Sequence, residues 1–388
     1  MTSRWTRLLA LFLTISLCLV GCGDPEPPAN PGHLVIIGGG LKPDNTEIYA
    51  RMVELVGDTG HWAVLPTASG VPESAGATAV QRLARYGAEA RLIDIRAGDV
   101  DKARDPDYVE QLTAARGLFF TGGSQQRIVD VYRPEAGDTP AYQAMRRLLA
   151  QGGVIAGTSA GAAMMSNPMI ERGDAHTALT RGRAYGPDRD AEDGVSIAKG
   201  MGLFPYGMTD QHFLSRGRLG RLIVALDETR FARGYGVDDN RAIHVDLASA
   251  RIEALGGPGA LLLLDAGDVR RNGDVRLGYR VAMLGSGDVV DGLSGRVMPA
   301  RGKVPAGRPP GNIEELPVIE DAWSSHAIDQ LILLLAQQPA TSARILDSSF
   351  ELVFEEDDAT QYWVAPEGDA ASLTVIGLRL DVFPRSRD

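Results

Sequence analysis

The sequence predicts an α/β protein: a doubly wound, mostly parallel sheet with helices on both faces, followed by a small C-terminal accessory segment. Three observations carry this expectation. Short apolar runs alternate with helix-like stretches from His33 onward. Most of those runs are continuous rather than alternating, as strands buried on both faces require. Repeated strand–helix–strand units, in turn, build parallel sheets with helices on either side. The chain of 388 residues has room for one large domain and a smaller one.

The N-terminus comes first. Arg4 and Arg7 precede the apolar run Leu8 to Val20, which closes on Leu19-Val20-Gly21-Cys22. Charged, apolar and small-residue zones in that order read as a secretory signal over residues 1–22. The run is too short for a comfortable membrane span. Its end resembles a bacterial lipobox, in which Cys22 becomes the acylated first residue. The expected location is therefore exported, at the cell envelope or outer surface, with the membrane as partner through a lipid anchor. Residues 23–32, rich in proline from Asp24 to Pro31, read as an extended tether. Cys18 and Cys22 are the only cysteines, so a chain beginning at Cys22 has no internal disulfide and no catalytic thiol.

The main domain, residues 33–303, opens with strand-like runs at Leu34–Ile37, Trp62–Leu65, Ala90–Ile95, Gly117–Phe120 and Gly153–Ala156. Helix-like stretches, among them Thr46–Val56 and Ser74–Tyr86, lie between them. Residues 171–199 are polar, charged and glycine-rich, and read as a long functional or disordered loop. Apolar runs at Gly234–Val237 and Ala242–Val245, then a β-rich stretch from Ile252 to Leu293, complete the domain. The segment 304–388 lies across and beyond a Pro- and Gly-rich linker, Val297–Pro317. It holds a helix over Ser324–Gln337, capped by Ser324 or Ser325. Strands follow at Phe350–Phe354, Tyr362–Ala365 and Leu373–Val382.

Charge bounds the partners. With 39 basic and 50 acidic residues the net charge is −11, which disfavours nucleic acid, whose phosphates need clustered Lys and Arg. It favours a cationic, arginine-bearing substrate.

The residues that point to chemistry begin at Gly157-Thr158-Ser159-Ala160-Gly161. This G-x-S-x-G run follows a strand and precedes the helix-like Ala162-Ala-Met-Met165, the context of a nucleophile elbow. A sharp turn exposes the serine, and flanking glycines let neighbouring backbone approach. The Ala160 N–H then opens a helix and can stabilise an oxyanion. Gly122-Gly123 forms a second turn at a strand's carboxyl end, where Gly123 N–H would supply the other half. A serine needs a base, and the base an orienting carboxylate.

Six histidines compete for the role of base. His33 and His61 open strands, His176 lies in the polar loop, His244 on an alternating run, and His326 in the accessory segment. His212, at a loop end before a helical stretch, fits best. Asp238 and Asp239 stand where a buried run meets a turn, and only one of them can face the site. Gly38-Gly-Gly40 lacks the third glycine of a dinucleotide fingerprint, since Pro43 stands there, and takes no role.

Four segments in this order resemble the cyanophycinase family of serine peptidases, related to aspartyl dipeptidases. They are Phe120-Thr-Gly-Gly-Ser-Gln125, Ile155-Ala-Gly-Thr-Ser-Ala-Gly-Ala162, Asp210-Gln-His-Phe-Leu-Ser-Arg-Gly-Arg-Leu-Gly-Arg221 and Gly236-Val-Asp-Asp-Asn-Arg-Ala-Ile243. The resemblance covers residues 33 to about 300 and leaves the accessory segment unexplained. It implies a fold similar to class I glutamine amidotransferases, with serine in place of cysteine. It also implies Ser159 as nucleophile, His212 as base and Asp239 as orienting acid. Gln125, Asp210 and Gln211 would shape the pocket, and Arg216, Arg218 and Arg221 would bind substrate carboxylates through their planar forks. Two positions depart from the family pattern: Asp239 stands where glutamate is usual, and Ser124 where an acidic or amide residue is usual.

The implied activity is a serine exopeptidase acting on cyanophycin through an acyl-enzyme. Cyanophycin is a poly-aspartate bearing arginine side chains, and the product would be β-aspartyl-arginine. No metal or other cofactor is called for, and a homodimer is compatible with the pattern. Three rivals stay open: an α-aspartyl dipeptidase, a lipoprotein with a decayed site that only binds peptides, and an α/β-hydrolase esterase. The last would require a late base, His244 or His326.

Overall fold

The computed structural model describes residues 32–185, 193–307, 316–366 and 372–385. The expected signal, Cys22 and nearly all of the tether lie outside the described residues. So do residues 186–192 of the polar loop and 308–315 of the linker.

The first part of the chain builds strands β1 (His33–Ile37), β2 (His61–Leu65), β3 (Glu89–Leu92), β4 (Gly117–Phe120) and β5 (Val154–Thr158). Interleaved are α1 (Thr46–Val56), α2 (Pro72–Arg85), α3 (Pro106–Ala114), α4 (Gln125–Tyr132), α5 (Pro140–Ala150) and the single turn α6 (Ala160–Ala163). Local chemistry starts these helices. Asn45, Asp105 and Thr139 accept first-turn N–H bonds, and α2, α3 and α5 open on proline, whose missing N–H costs nothing there.

The five strands pair in parallel in the order β1-β5-β4-β2-β3. Alternate residues face opposite layers. Val35 and Ile37 pack with Ile48 and Met52 of α1 and Leu83 of α2, whereas Leu34 and Ile36 share a core with Ile128 of α4 and Met145 of α5.

The polar loop is not one long irregular segment. It contains β6 (Met169–Arg172), α7 (Ala175–Arg181), β7 (Arg183–Ala184) and β8 (Val195–Ala198), and its strands form a small sheet in the order β6-β8-β7. Its charges hid an amphipathic pattern: Ala178 and Leu179 of α7 and Val195 and Ile197 of β8 are buried together.

The remainder alternates β9 (Met208–Asp210), α8 (Leu219–Thr229), β10 (Arg233–Val237), β11 (Ala242–Asp246), β12 (Arg251–Leu255), β13 (Leu261–Asp265), β14 (Arg270–Asn272) and β15 (Val275–Leu284). Then come β16 (Val289–Asp291), β17 (Val297–Met298), β18 (Val304–Pro305), β19 (Val318–Glu320), α9 (Ala327–Gln337), β20 (Ser342–Leu346), β21 (Phe350–Glu355), β22 (Gln361–Val364) and β23 (Thr374–Pro384). β11, β12, β16 and β17 add antiparallel strands beside β1. A second sheet runs β19-β20-β21-β23-β15-β13-β10-β9, antiparallel except at its two ends.

Three expectations change. Parallel pairing is confined to the first five strands and a few sheet margins, so two mixed sheets replace a mostly parallel one. The segment 304–388 is not an appendage either: β23 pairs along β15 and β21 along β23, continuing the sheet that carries β9 and β10. Its helix starts at Ala327 behind a left-handed His326 (φ 62°) with no side-chain cap, while Ser324 Oγ donates to the Asp321 carbonyl instead. Among the described residues no helix is long and apolar enough to cross a membrane.

Candidate active site

The site lies at the carboxyl ends of β5, β9 and β10. Ser159 follows β5 with φ 55° and ψ −110°, a strained conformation for a side-chain-bearing residue. Two close approaches hold it. Its N–H donates to the Ile37 carbonyl at 2.9 Å, and Gly157 lies so near α6 that a Cβ would stand 2.2 Å from the Gly161 carbonyl oxygen. Gly161 itself passes the Phe120 carbonyl oxygen, which a Cβ would approach to 2.8 Å. Each glycine of the G-x-S-x-G run is thus required by contact.

His212 follows β9 with φ 47°, its N–H bonded to the Gly38 carbonyl at 2.9 Å. Its Nε2 lies 2.8 Å from Ser159 Oγ, and its Nδ1 bonds the Asp239 carboxylate. Burial lowers the imidazole's pKa below 6.5, Asp239 works against this, and the cations Arg216 and Arg218 add to it. The base is therefore neutral near pH 7, with Nε2 open to a proton. Asp238 faces elsewhere, accepting the Ser215 N–H at 2.8 Å, so the alternation of β10 selects Asp239. His244 and His326 lie apart from the serine, the first bonded to Arg51 and His33, the second to Asp329.

Gly122 abuts Ser159, its hypothetical Cβ falling 3.3 Å from the serine Cβ. Gly123 has φ 144°, and a Cβ there would meet the Ala68 carbonyl oxygen at 2.0 Å. Neither Gly123 N–H nor Ala160 N–H has an acceptor among the described residues. A cavity of about 550 Å³ opens beside Ser159, bounded by Gly40, Lys42, Arg82, Phe119 and Gly122.

The residues expected to shape the pocket divide. Gln125 is buried and donates to the Ile170 and Glu171 carbonyls, fixing β6. Asp210 and Arg221 form a buried ion pair, Arg221 Nε donating to Asp210 Oδ2 at 2.8 Å and Nη1 to the Gly173 carbonyl at 2.9 Å. Arg221 is thereby committed inside the protein, so the geometry does not present it to a substrate carboxylate. Arg218 donates to the Gln211 carbonyl and Oε1, both at 2.6 Å, and burial lowers its pKa to about 9, which leaves it cationic at neutral pH. Arg216 is exposed, and its side chain has no hydrogen-bond or ion-pair partner among the described residues.

The model of peptidase family S51 matches residues 34–252, more than half of the chain. The chain belongs to peptidase family S51.

This S51 peptidase is 33% identical over 210 residues to a cyanophycinase of Geminocystis herdmanii, covering 53% of this chain and 71% of the relative. A cyanophycinase from a Nostoc species is 32% identical over 218 residues, 55% of this chain and 67% of its own length. Among solved structures, a peptidase from an acI-B1 actinobacterium aligns over 71% of this chain and 96% of its own, at 18% identity and a TM-score of 0.45. Membership makes the chain a hydrolase of the serine-peptidase type.

The S51 match ends at Ile252, within β12. One part of the site escaped sequence reasoning. Gly39 lies against the imidazole, where a Cβ would stand 2.1 Å from His212 Cε1, and Gly40 lies against the Asp239 carboxylate. The signal was three glycines at the carboxyl end of a parallel strand. A dinucleotide fingerprint does not describe this use of glycine, which makes room for the imidazole and the carboxylate rather than for a phosphate. Among the described residues no group of three or more His, Cys, Asp or Glu is placed to hold a metal ion.

Proposed function

We propose that this S51 peptidase hydrolyses aspartyl peptide bonds of the cyanophycin type, releasing β-aspartyl-arginine from the polymer. The observation that carries this is the Ser159–His212–Asp239 chain of contacts, found in a chain about one-third identical to cyanophycinases. Ser159 Oγ attacks the carbonyl carbon as His212 Nε2 takes its proton, and Asp239 steadies the imidazolium that forms. The uncommitted N–H groups of Gly123 and Ala160 receive the oxyanion. The imidazolium returns its proton to the leaving nitrogen, and water repeats the sequence on the acyl-enzyme. Arg216 and Arg218 stand beside the base as the cations for substrate carboxylate, while Gln125, Asp210, Gln211 and Arg221 frame them from within.

The test is to incubate purified protein with cyanophycin beside Ser159→Ala and to identify products by mass spectrometry. Wild type alone should release β-aspartyl-arginine, and the variant should lose at least roughly 10³-fold in rate. Comparable release by both would discard Ser159. A wild type that accepts a fluorophosphonate on Ser159 but cleaves only α-aspartyl dipeptides would move the substrate to that class.

Export with a lipid on Cys22 is part of the same reading, because a bulky polymer is degraded where it is met. It rests on the N-terminal sequence alone. Cys22→Ser should leave the protein unacylated and free of the membrane fraction; unchanged membrane partition would remove the anchor.

A further inference from the structure

The cavity beside Ser159 holds two cations and no carboxylate: Lys42 and Arg82 are its charged lining, with Leu41, Pro43, Leu83 and Phe119 among its apolar walls. Arg82 is committed, Nη1 donating to the Leu41 carbonyl at 2.9 Å. The Lys42 side chain has neither an ion-pair nor a hydrogen-bond partner among the described residues. Its backbone is nevertheless firmly placed. Lys42 N–H donates to Asn240 Oδ1 at 2.9 Å, Asn240 N–H to the Gly39 carbonyl at 2.7 Å, and Tyr86 Oη to the Pro43 carbonyl at 2.9 Å. Tyr86 in turn stacks on Tyr49 of α1 at 4.6 Å. A loop fixed at four points, adjoining the orienting acid and carrying one unspent ammonium, is preorganised for an anion.

Resting on the peptidase reading of Ser159, we infer that Lys42 is a specificity residue that binds a carboxylate of the substrate portion seated in this cavity. An arginine side chain is excluded there, since two like charges would meet it with no acid to receive it. Beside the α-carboxylate that each arginine carries, which is the same in a free-acid chain and its backbone amide, the carboxylate has two sources in an aspartyl polymer. One is the free α-carboxylate of the terminal unit, which would confine the enzyme to chain ends. The other is an aspartyl side chain left without its arginine.

The experiment compares wild type, Lys42→Met and Lys42→Arg on three trimers. These are the arginylated aspartyl trimer, its C-terminal amide, and tri-aspartate. Two readouts run in parallel: kcat/KM, and the concentration of each trimer that protects Ser159 from a fluorophosphonate. If the terminal carboxylate is read, amidation costs wild type roughly tenfold. Lys42→Met then brings the free-acid trimer down to the amide's level while leaving the amide unchanged, and Lys42→Arg restores the difference. If the side-chain carboxylate is read, the same pattern follows tri-aspartate instead. Equal ratios between carboxylate and amide, and between tri-aspartate and arginylated trimer, in wild type and Lys42→Met would overturn the inference. Protection needs no turnover, so a chain that binds but does not cleave these trimers would fail the peptidase reading while still deciding the role of Lys42.

Discussion

At the scale of single residues, the site is governed by what is missing at Gly39. A methyl group there would occupy the space of the imidazole, 2.1 Å from Cε1, on a backbone of φ 137° that alanine disfavours. Gly39→Ala should therefore abolish fluorophosphonate labelling of Ser159 while costing only about 1–3 kcal/mol in stability. Labelling at the wild-type rate would show that the ring has another seat. Arg221 sits at the opposite pole. Its partner Asp210 is fully buried, and removing one member of such a pair strands the other's charge. Arg221→Ala is expected to destabilise the fold by about 3–5 kcal/mol in denaturant titrations. A variant of wild-type stability with only a raised KM would return Arg221 to the substrate. In the sequence these two residues carry inverted signals. The arginine stood in a basic run beside the histidine and looked functional; the glycine stood in a triplet that matched no fingerprint. Which group an arginine meets depends on tertiary contacts 48 residues away at Gly173, and no local pattern encodes that.

At the scale of elements, the parallel strands and their helices were legible because each carries its own signature. α1 falls on the expected Thr46–Val56, and β4 on Gly117–Phe120. What was not legible was pairing. β1 and β11 are neighbours, and this antiparallel pair places His244 beside His33, 3.2 Å between Nε2 and Nδ1, with Arg51 Nη1 at 2.8 Å from His244 Nδ1. Arg51 can only donate, so His244 Nδ1 accepts and the ring is neutral. Burial, Arg51 and His33 push its pKa down to about 4. The sign follows from the lowered value: the unfolded chain binds a proton that the folded chain refuses. Stability is then complete above pH 6.5 and is lost as pH falls from 6.5 toward 4, by on the order of 2–3 kcal/mol. Thermal unfolding of wild type from pH 7 to 4 should show this decline, and His244→Asn should flatten it. An equal decline in both would assign it to other groups.

At the scale of the whole molecule, the division at residue 303 followed composition, whereas the sheet follows pairing. Strand β15, ten residues long, pairs with β23 from Arg276 to Met283, and Leu378, Leu380 and Val382 are buried in one core with Phe213 and Leu222. Truncation after Ala306 is thus expected to yield aggregated protein with no labelled serine, read by solubility and by fluorophosphonate. A soluble, labelled fragment would restore the two-domain picture. Linkers rich in proline and glycine mark boundaries only when few contacts cross them, and here a whole strand does.

The histidine loop shows what such a crossing brings. The His326 N–H donates to the Leu214 carbonyl at 2.9 Å, and Gly217 lies so close beneath Trp323 that a Cβ would meet its carbonyl oxygen at 2.3 Å. Ser159 is mounted on one sheet, while His212 and Asp239 hang from the margin of the other, with the C-terminal stretch as the far wall of that mounting. Drift in a region that contributes no group to the reaction is therefore heard at the imidazole. Descendants of this chain could be silenced there, or retuned, with every reacting atom still spelled out in the sequence.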